Sequence, residues 1–417
     1  MPGKIADAKL AGKGRLAYEW AAGRMGIIER LAADAISAAA GSRRPPPLDG
    51  LRLGFCLHVT KETSVLVMAA KKLGAQVALC SANPLSVQDD VAAFLHKEGV
   101  HVYAWRGETE AEYRQCIADV LAFHPQIITD DGGDLHTAAH RARVKGVTGG
   151  TEETTSGVKR LLALERSGKL RYPVIAVNNA RTKYLFDNRH GTGQSTLDGI
   201  LRATDMFLPG SRVVVCGYGW VGRGVASRAR GLGAIVTVTE VDPVRALEAK
   251  MDGFEVMPLL QAAPEGDLFI TCTGQTHVIR KEHFSKMKDG AILANTGHFD
   301  VEIDVSYLYK RARPVQVRPE VERFDIGGGR TNKKLYLLSK GRVVNLVAGS
   351  GHPPEVMALS FANQLLSILH VAQNRLEPRV HNVPEEIDVK VARSALASMG
   401  VSIDSLTPQQ ARYGREE

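Results

Sequence analysis

Cysteine is scarce in this chain and aromatic residues are few. Five cysteines in 417 residues contain no C-x-x-C pair, and their odd number cannot pair completely. A disulfide framework and a thiolate zinc site are therefore not expected. Cys56, Cys216 and Cys272 lie in apolar, strand-like runs and read as small buried hydrophobes of a reducing compartment. The formal charge is +8, yet lysines and arginines are scattered among acids, and no basic run carries interleaved aromatics. Nucleic-acid binding is not expected from such a surface. No apolar stretch reads as long enough to span a membrane. The N-terminus lacks the apolar region of a secretory signal, and no internal repeat or low-complexity segment stands out. A cytoplasmic globular chain is expected, of two or three domains, because one core rarely organises this length.

The most informative string present is Val213-Val214-Val215-Cys216-Gly217-Tyr218-Gly219-Trp220-Val221-Gly222. An apolar run of strand length meets a G-x-G-x-x-G turn, followed by a helical pattern, a second apolar run over 234–239 and the acid Glu240. Glycines at these positions allow a tight turn and close approach of backbone to a pyrophosphate on the helix N-terminus. An acid about 20 residues on hydrogen-bonds ribose hydroxyls, and its charge favours NAD over a 2′-phosphorylated cofactor. Before this motif, strands alternate with helices: 51–57, 76–80, 100–104, 126–129 and 173–177 are strand-like. That order predicts a parallel sheet with helices on both faces, binding ligands beyond the carboxyl ends of its strands. His58 and Asp131 fall just past two such ends.

Beyond the dinucleotide motif, strands are expected at 267–271, 291–295 and 343–347. Gly327-Gly328-Gly329 and the Ser339-Lys340-Gly341 turn suggest a β-hairpin before the last of these. Helices are expected at 195–205, 353–369 and 388–410. Leu16, Trp20, Ile27 and Leu31 are spaced to share one face of an N-terminal amphipathic helix packed on the body.

Five further strings carry chemistry, each beside a plainer reading. His58-Val59-Thr60-Lys61-Glu62-Thr63 offers an acid/base and a helix cap. Asp130-Asp131-Gly132-Gly133-Asp134 can bind a divalent cation or turn one carboxylate toward a ligand. Gly149-Gly150-Thr151-Glu152-Glu153-Thr154-Thr155-Ser156-Gly157 can donate hydroxyls to a cofactor or form a capping box through Thr151 and Thr154. Lys183 and Asp187 share a helix face, which commonly means a surface ion pair. Asn295-Thr296-Gly297-His298-Phe299-Asp300 places a histidine after a strand of the dinucleotide domain.

Taken together and in order, these strings resemble S-adenosylhomocysteine hydrolase; Lys183-x-x-Phe186-Asp187-Asn188, Asn345 and Gly351-His352-Pro353 extend the match from about residue 50 to about 370. The resemblance implies an α/β fold of two doubly wound parallel-sheet domains with a small helical C-terminal tail. A substrate domain would span 1–190, completed by 353–375; a Rossmann NAD domain 191–352; and an oligomerisation tail 376–417. It also implies tightly bound NAD, one per subunit, no metal, and a homotetramer. The reaction would be reversible hydrolysis of S-adenosyl-L-homocysteine to adenosine and L-homocysteine. The ribose 3′-hydroxyl is oxidised, the acidified C4′ proton removed, homocysteine eliminated, water added and the ketone reduced.

By the same resemblance, Lys183, with Asp187 and Asn188, handles the 3′-hydroxyl proton, for which a burial-lowered pKa is expected. Asp131 takes the C4′ proton, and Glu153 binds ribose hydroxyls. His58 and His298 serve the leaving sulfur and incoming water. Thr60 and Glu62 read the purine edge, with His352 at the hinge. Cofactor contacts fall to Thr154, Thr155, Ser156, Asn188, Gly217, Gly219, Trp220, Val221, Gly222, Glu240, Arg245, Thr273, Asn295, Thr296, Gly297, His298 and Asn345. Trp220 and Arg245 depart from the long forms of the family, as do Thr192, Ser350 and Ser156. The C-terminal sequence lacks the Lys/Tyr-rich tail of those forms, resembling instead a short branch of archaea and thermophilic bacteria. An S-inosyl-L-homocysteine hydrolase, a 2-hydroxyacid dehydrogenase and a non-catalytic regulatory paralogue are the alternatives.

Overall fold

Apolar runs in the first half become seven parallel strands in one sheet: β1 (Arg52–Leu57), β2 (Gln76–Ser81), β3 (His101–Tyr103), β4 (Ile127–Asp130), β5 (Gly149–Glu152), β6 (Val174–Ala176) and, from far along the chain, Val380–Asn382. The computed structural model describes residues 3–297, 299–326 and 333–413. Strand β1 lies between β2 and β4. The strand order therefore reverses between β1 and β4, and their carboxyl ends flank the crevice where such sheets bind ligands. The segment Val380–Asn382 was expected only as part of a helical tail. It instead extends the sheet by pairing with β6.

The second sheet repeats the plan. Strands β7 (Arg212–Cys216), β8 (Ile235–Thr239), β9 (Glu255–Val256), β10 (Leu268–Thr271) and β11 (Ile292–Asn295) are parallel, with β7 between β8 and β10. Its far edge is antiparallel: β12 (Val315–Arg318), β13 (Val321–Ile326) and β14 (Lys333–Leu338), with β14 parallel to β11. The expected hairpin is thus β13–β14; its glycine segment 327–329 lies outside the described residues. The expected strand over 343–347 is not formed. Strand β14 occupies the place beside β11, only Val343 bridges Asn295, and Val344–Val347 turns into a helix.

The N-terminal pattern also resolves differently. The expected helix breaks at Gly23–Met25 into Ala11–Ala22 and Gly26–Gly41. Ile27 and Leu31 are buried, but Leu16 and Trp20 are exposed. The first helix packs through small residues instead. A Cβ on Gly14 would lie 1.8 Å from the Asp90 carbonyl oxygen, so Gly14 lets two helix backbones touch.

Helix Pro354–Gln373 corrects another expectation: by length and mean hydropathy (1.3) it qualifies as a membrane span. It is, however, 72% buried inside the protein, packed against helices Gly26–Gly41 and Lys61–Lys72 and strand β5. Its apolar residues Phe361, Leu365, Ile368 and Leu369 join the core of the first sheet. At roughly 25 cal/mol per Å², such burial drives folding of this helix.

Candidate active site

The carboxyl ends of both sheets open onto one cleft of about 1170 Å³. From the first sheet, β1 delivers His58, with Thr60 capping the next helix by accepting from Thr63 N. Strand β4 delivers Asp131 and β5 delivers Glu153. From the second, β7 delivers the glycine turn, β8 Glu240, β10 Thr273, and β11 Thr296 and Gly297. All of these line the cleft, with Glu62, Thr154, Thr155, Ser156, Lys183, Asp187, Asn188, Trp220, Val221, Arg245, Asn345 and His352. His298 lies outside the described residues.

At the centre is a buried cation among carboxylates. After a short turn at Arg181–Lys183, the chain winds as a π-helix over Tyr184–Gly191. Its wider turn lets Lys183 Nζ reach both Asp187 Oδ1 and Asn188 Oδ1 at 2.9 Å. Glu153 Oε1 lies 3.6 Å from the same nitrogen. The pair Lys183–Asp187 is therefore not a surface ion pair: both side chains are almost fully buried. The lowered lysine pKa expected from burial is not found. Burial does push it down, but Asp187 and Glu153 outweigh burial and hold the ammonium above its ordinary value.

One buried cation can balance only one of these two acids. Burial would raise Asp187, but Lys183 and His352 beside it hold its carboxyl well below the usual range. Glu153, farther off, is pushed up to about 7 by burial against the pull of Lys183.

Helix Pro354–Gln373 closes this cluster from behind. Ser360 donates to Asp187 Oδ2 at 3.1 Å and Gln364 Nε2 donates to Glu153 Oε2 at 2.6 Å. His352 Nδ1 meets Asp187 Oδ2 at 3.1 Å and its Nε2 meets Thr192 Oγ1 at 3.2 Å. No motif spacing singles out Ser360 or Gln364. The signal was present: polar residues at 360, 363, 364 and 367 interrupt an apolar helix, and buried polar groups require partners.

On the β1 side, His58 Nδ1 lies 2.7 Å from Ser86 Oγ, and Ser86 in turn donates to the Asn83 carbonyl at 2.8 Å. Nε2 of the same ring faces Asp131 Oδ2 at 3.5 Å. The three aspartates of the 130–134 string point apart. Asp130 is buried and accepts from the Asp131 and His136 backbone. Asp134 bonds Tyr113 and Arg160. Ligand atoms of Asp130, His136 and Glu152 do lie within 4.8 Å of one another. Both His136 nitrogens are committed, however, to the Tyr172 hydroxyl and the Thr151 carbonyl. Nor does the 149–157 string form a capping box. Thr151 bonds Thr129 within the sheet, and Glu152 Oε1 accepts from the backbone of Gly132 and Thr154, tying the two loops together.

The glycine turn fits a dinucleotide. Gly217 has φ +104°, and a Cβ on Gly222 would lie 1.9 Å from the Gly217 carbonyl oxygen, so neither position accepts a side chain. Gly219 faces open space, with only Arg245 Nη1 at 3.8 Å. Glu240 Oε2 accepts from Tyr218 N at 2.7 Å, bracing the turn while standing at the cleft edge. Ser156 Oγ, Asn345 Oδ1 and Glu153 Oε1 are buried without a hydrogen-bond partner among the described residues. Such atoms are costly unless a ligand pairs them.

Two residues expected to contact the cofactor, Gly222 and Asn295, are not among those lining the cleft. Gly222 supports the turn from beneath. Asn295 is fully buried, its amide bound to the carbonyls of Gly297, Phe299 and Gly341. Glu302, given no role from sequence, is buried against Thr273 and Gly274 and fixes that loop.

A dinucleotide turn at the switch point of the second sheet, sharing one cleft with a buried lysine–carboxylate cluster beyond β5 and β6 of the first, defines a nicotinamide-cofactor enzyme. Family models narrow this class. Residues 3–146 match the model described as S-adenosyl-L-homocysteine hydrolase, and residues 188–351 match its NAD binding domain. The chain belongs to the S-adenosyl-L-homocysteine hydrolase family. It is 54% identical to the adenosylhomocysteinase of Sulfurisphaera tokodaii, over 99% of this chain and 98% of that protein. The adenosylhomocysteinase of Aeropyrum pernix is also 54% identical, over 98% of each. The S-inosyl-L-homocysteine hydrolase of Methanopyrus kandleri is 51% identical, over 98% of this chain and 96% of that protein.

Proposed function

We propose that this chain catalyses reversible hydrolysis of S-adenosyl-L-homocysteine to adenosine and L-homocysteine. The observation that carries this reading is the buried Lys183–Asp187–Asn188–Glu153 cluster sharing one cleft with the His58–Asp131 pair and the dinucleotide turn. An ordinary hydroxyacid dehydrogenase has no use for that cluster. When bound, NAD supplies a reversible oxidation at the ribose C3′, which makes the neighbouring C4′ proton acidic.

The residues divide the remaining work. Glu153 and Asp187 orient the ribose hydroxyls on Lys183. In the ligand-free cluster Lys183 is an ammonium, suited to stabilising charge that develops on O3′. It acts as a base once its carboxylate partners turn to substrate hydroxyls. Asp131 removes the C4′ proton. His58, with Nε2 directed at Asp131, and His298 serve the leaving sulfur and the incoming water. Thr60 and Glu62 hold the purine; Glu62 is buried and ion-paired with Lys61 at 2.8 Å. Ser156, Thr154, Thr155, Thr273, Thr296 and Asn345 supply polar contacts to NAD, and Glu240 its ribose contact. The first sheet with 353–375 acts as the substrate domain and 191–352 as the NAD domain.

We further infer that NAD is retained tightly, one per subunit, in a cytoplasmic homotetramer of the methyl cycle. Exposed apolar side chains outside the cleft, such as Phe207 and Met251, support subunit contacts. The 376–417 segment would take part in them. Purified protein is expected to carry NAD and to release homocysteine from S-adenosylhomocysteine with none added. A carboxylate at Glu62 accepts from an adenine amino group but faces an oxygen acceptor on hypoxanthine. Hence kcat/KM is expected to be higher for the adenosyl than for the inosyl thioether; the reverse ranking would assign the inosyl substrate instead.

A further inference from the structure

Trp220 opens the helix Trp220–Gly231 and lines the cleft directly after Gly219. Its ring stacks on Tyr184, with centroids 4.9 Å apart and planes inclined by 27°. Arg223, anchored by Glu248, holds its guanidinium 4.5 Å from the Trp220 ring centre. Tyr184 is the peptide neighbour of Lys183 and the first residue of the π-helix that aims Asp187 and Asn188 at Lys183. Lys183 lines the cleft, whereas Tyr184 is not among its lining residues.

Helix Trp220–Gly231 also meets the π-helix and the helix that follows it, Thr192–Thr204, without intervening side chains. A Cβ on Gly224 would lie 1.7 Å from the Arg189 carbonyl oxygen, and one on Gly193 would lie 2.6 Å from the Gly224 carbonyl carbon. Close-packed backbones of this kind transmit displacement rather than absorb it.

We propose that Trp220 and Tyr184 are positioning residues that couple the dinucleotide turn to Lys183, so that occupancy of the turn and placement of the lysine become one event. The proposal rests on the reading that the cleft holds NAD. Trp220, fixed against a bound dinucleotide, fixes Tyr184, and Tyr184 sets the first π-turn on which the Lys183 contacts depend. Coupling is reciprocal, so disturbing Tyr184, outside the cleft, must weaken dinucleotide binding.

Calorimetric titration of NAD into cofactor-stripped wild type, Trp220→Ala, Tyr184→Ala and the double variant tests this. Each single change is expected to raise the NAD Kd by about two- to tenfold, the range a stacked aromatic pair supports. The double variant should be no weaker than the weaker single variant, because both remove one interaction. At saturating NAD, kcat should fall and its pH profile shift, with KM for S-adenosylhomocysteine changed by less than about twofold. Trp220→Phe and Tyr184→Phe, which keep a ring, should restore both Kd and kcat. An unchanged Kd in Tyr184→Ala, or additive losses in the double variant, overturns the coupling. A wild type that binds no NAD overturns the assignment of the cleft instead.

Discussion

Lys183 holds its Nζ 2.9 Å from both Asp187 Oδ1 and Asn188 Oδ1, almost fully buried. Its i, i+4 spacing to Asp187 marks a pair but says nothing about depth, and the buried cluster reverses the sign expected for its pKa. Lys183→Met should lower kcat by about 10²–10⁴-fold, the usual worth of a positioned proton-transfer group, and weaken the fold by leaving buried carboxylates without their cation; single-turnover kinetics at saturating NAD, beside thermal unfolding, would check this. Glu108 gives a second test, far from the chemistry. It is buried, accepts from Trp105 N, and burial pushes its pKa up to about 7 from 4.5. The folded protein then holds a proton that the unfolded chain releases. Stability from this group is present below about pH 4.5 and lost as pH rises through about 7. Glu108→Gln should therefore gain roughly 1–3 kcal/mol over wild type at about pH 8, with little difference at about pH 4. Urea denaturation at both values measures it.

At the scale of elements, the turn motif and the strand–helix alternation are legible because each rests on local pattern. The apolar residues of β7 and the glycines after it need no distant contact to be recognised. The π-helix Tyr184–Gly191 and the short helix Val344–Val347 were not legible. A π-turn leaves no hydrophobic period of its own, and 343–347 is as apolar as a strand until β14 takes the neighbouring position. The first helix misled for a related reason: Leu16 and Trp20 are spaced for a buried face, but the contact made by Gly14 decides which face turns inward. Gly224→Ala tests such a backbone contact. Its Cβ must displace the Arg189 carbonyl, so a loss of roughly 1–3 kcal/mol or more is expected. Thermal unfolding would report that loss, and reduced NAD affinity should accompany it.

For the whole molecule, both sheets direct their switch points at a single cleft, so a ligand that bridges them binds only the assembled chain. NAD at about a hundredfold above its Kd should add about 2.7 kcal/mol to unfolding. Calorimetric scans with and without NAD should show both domains shifted together; protection of the second domain alone would argue against a shared site. Residue order alone specifies the two α/β units, the dinucleotide turn and the family, along with the strings from which the site is drawn, because all of these are written in local spacing and residue type. Long-range packing puts Ser360 and Gln364 behind the cluster, ties Asn295 to its loop, brings Tyr184 to Trp220, and lets two carboxylates hold the Lys183 pKa up. Each of these depends on which groups burial brings together across tens or hundreds of residues, and on the low-dielectric surroundings that then set their charge.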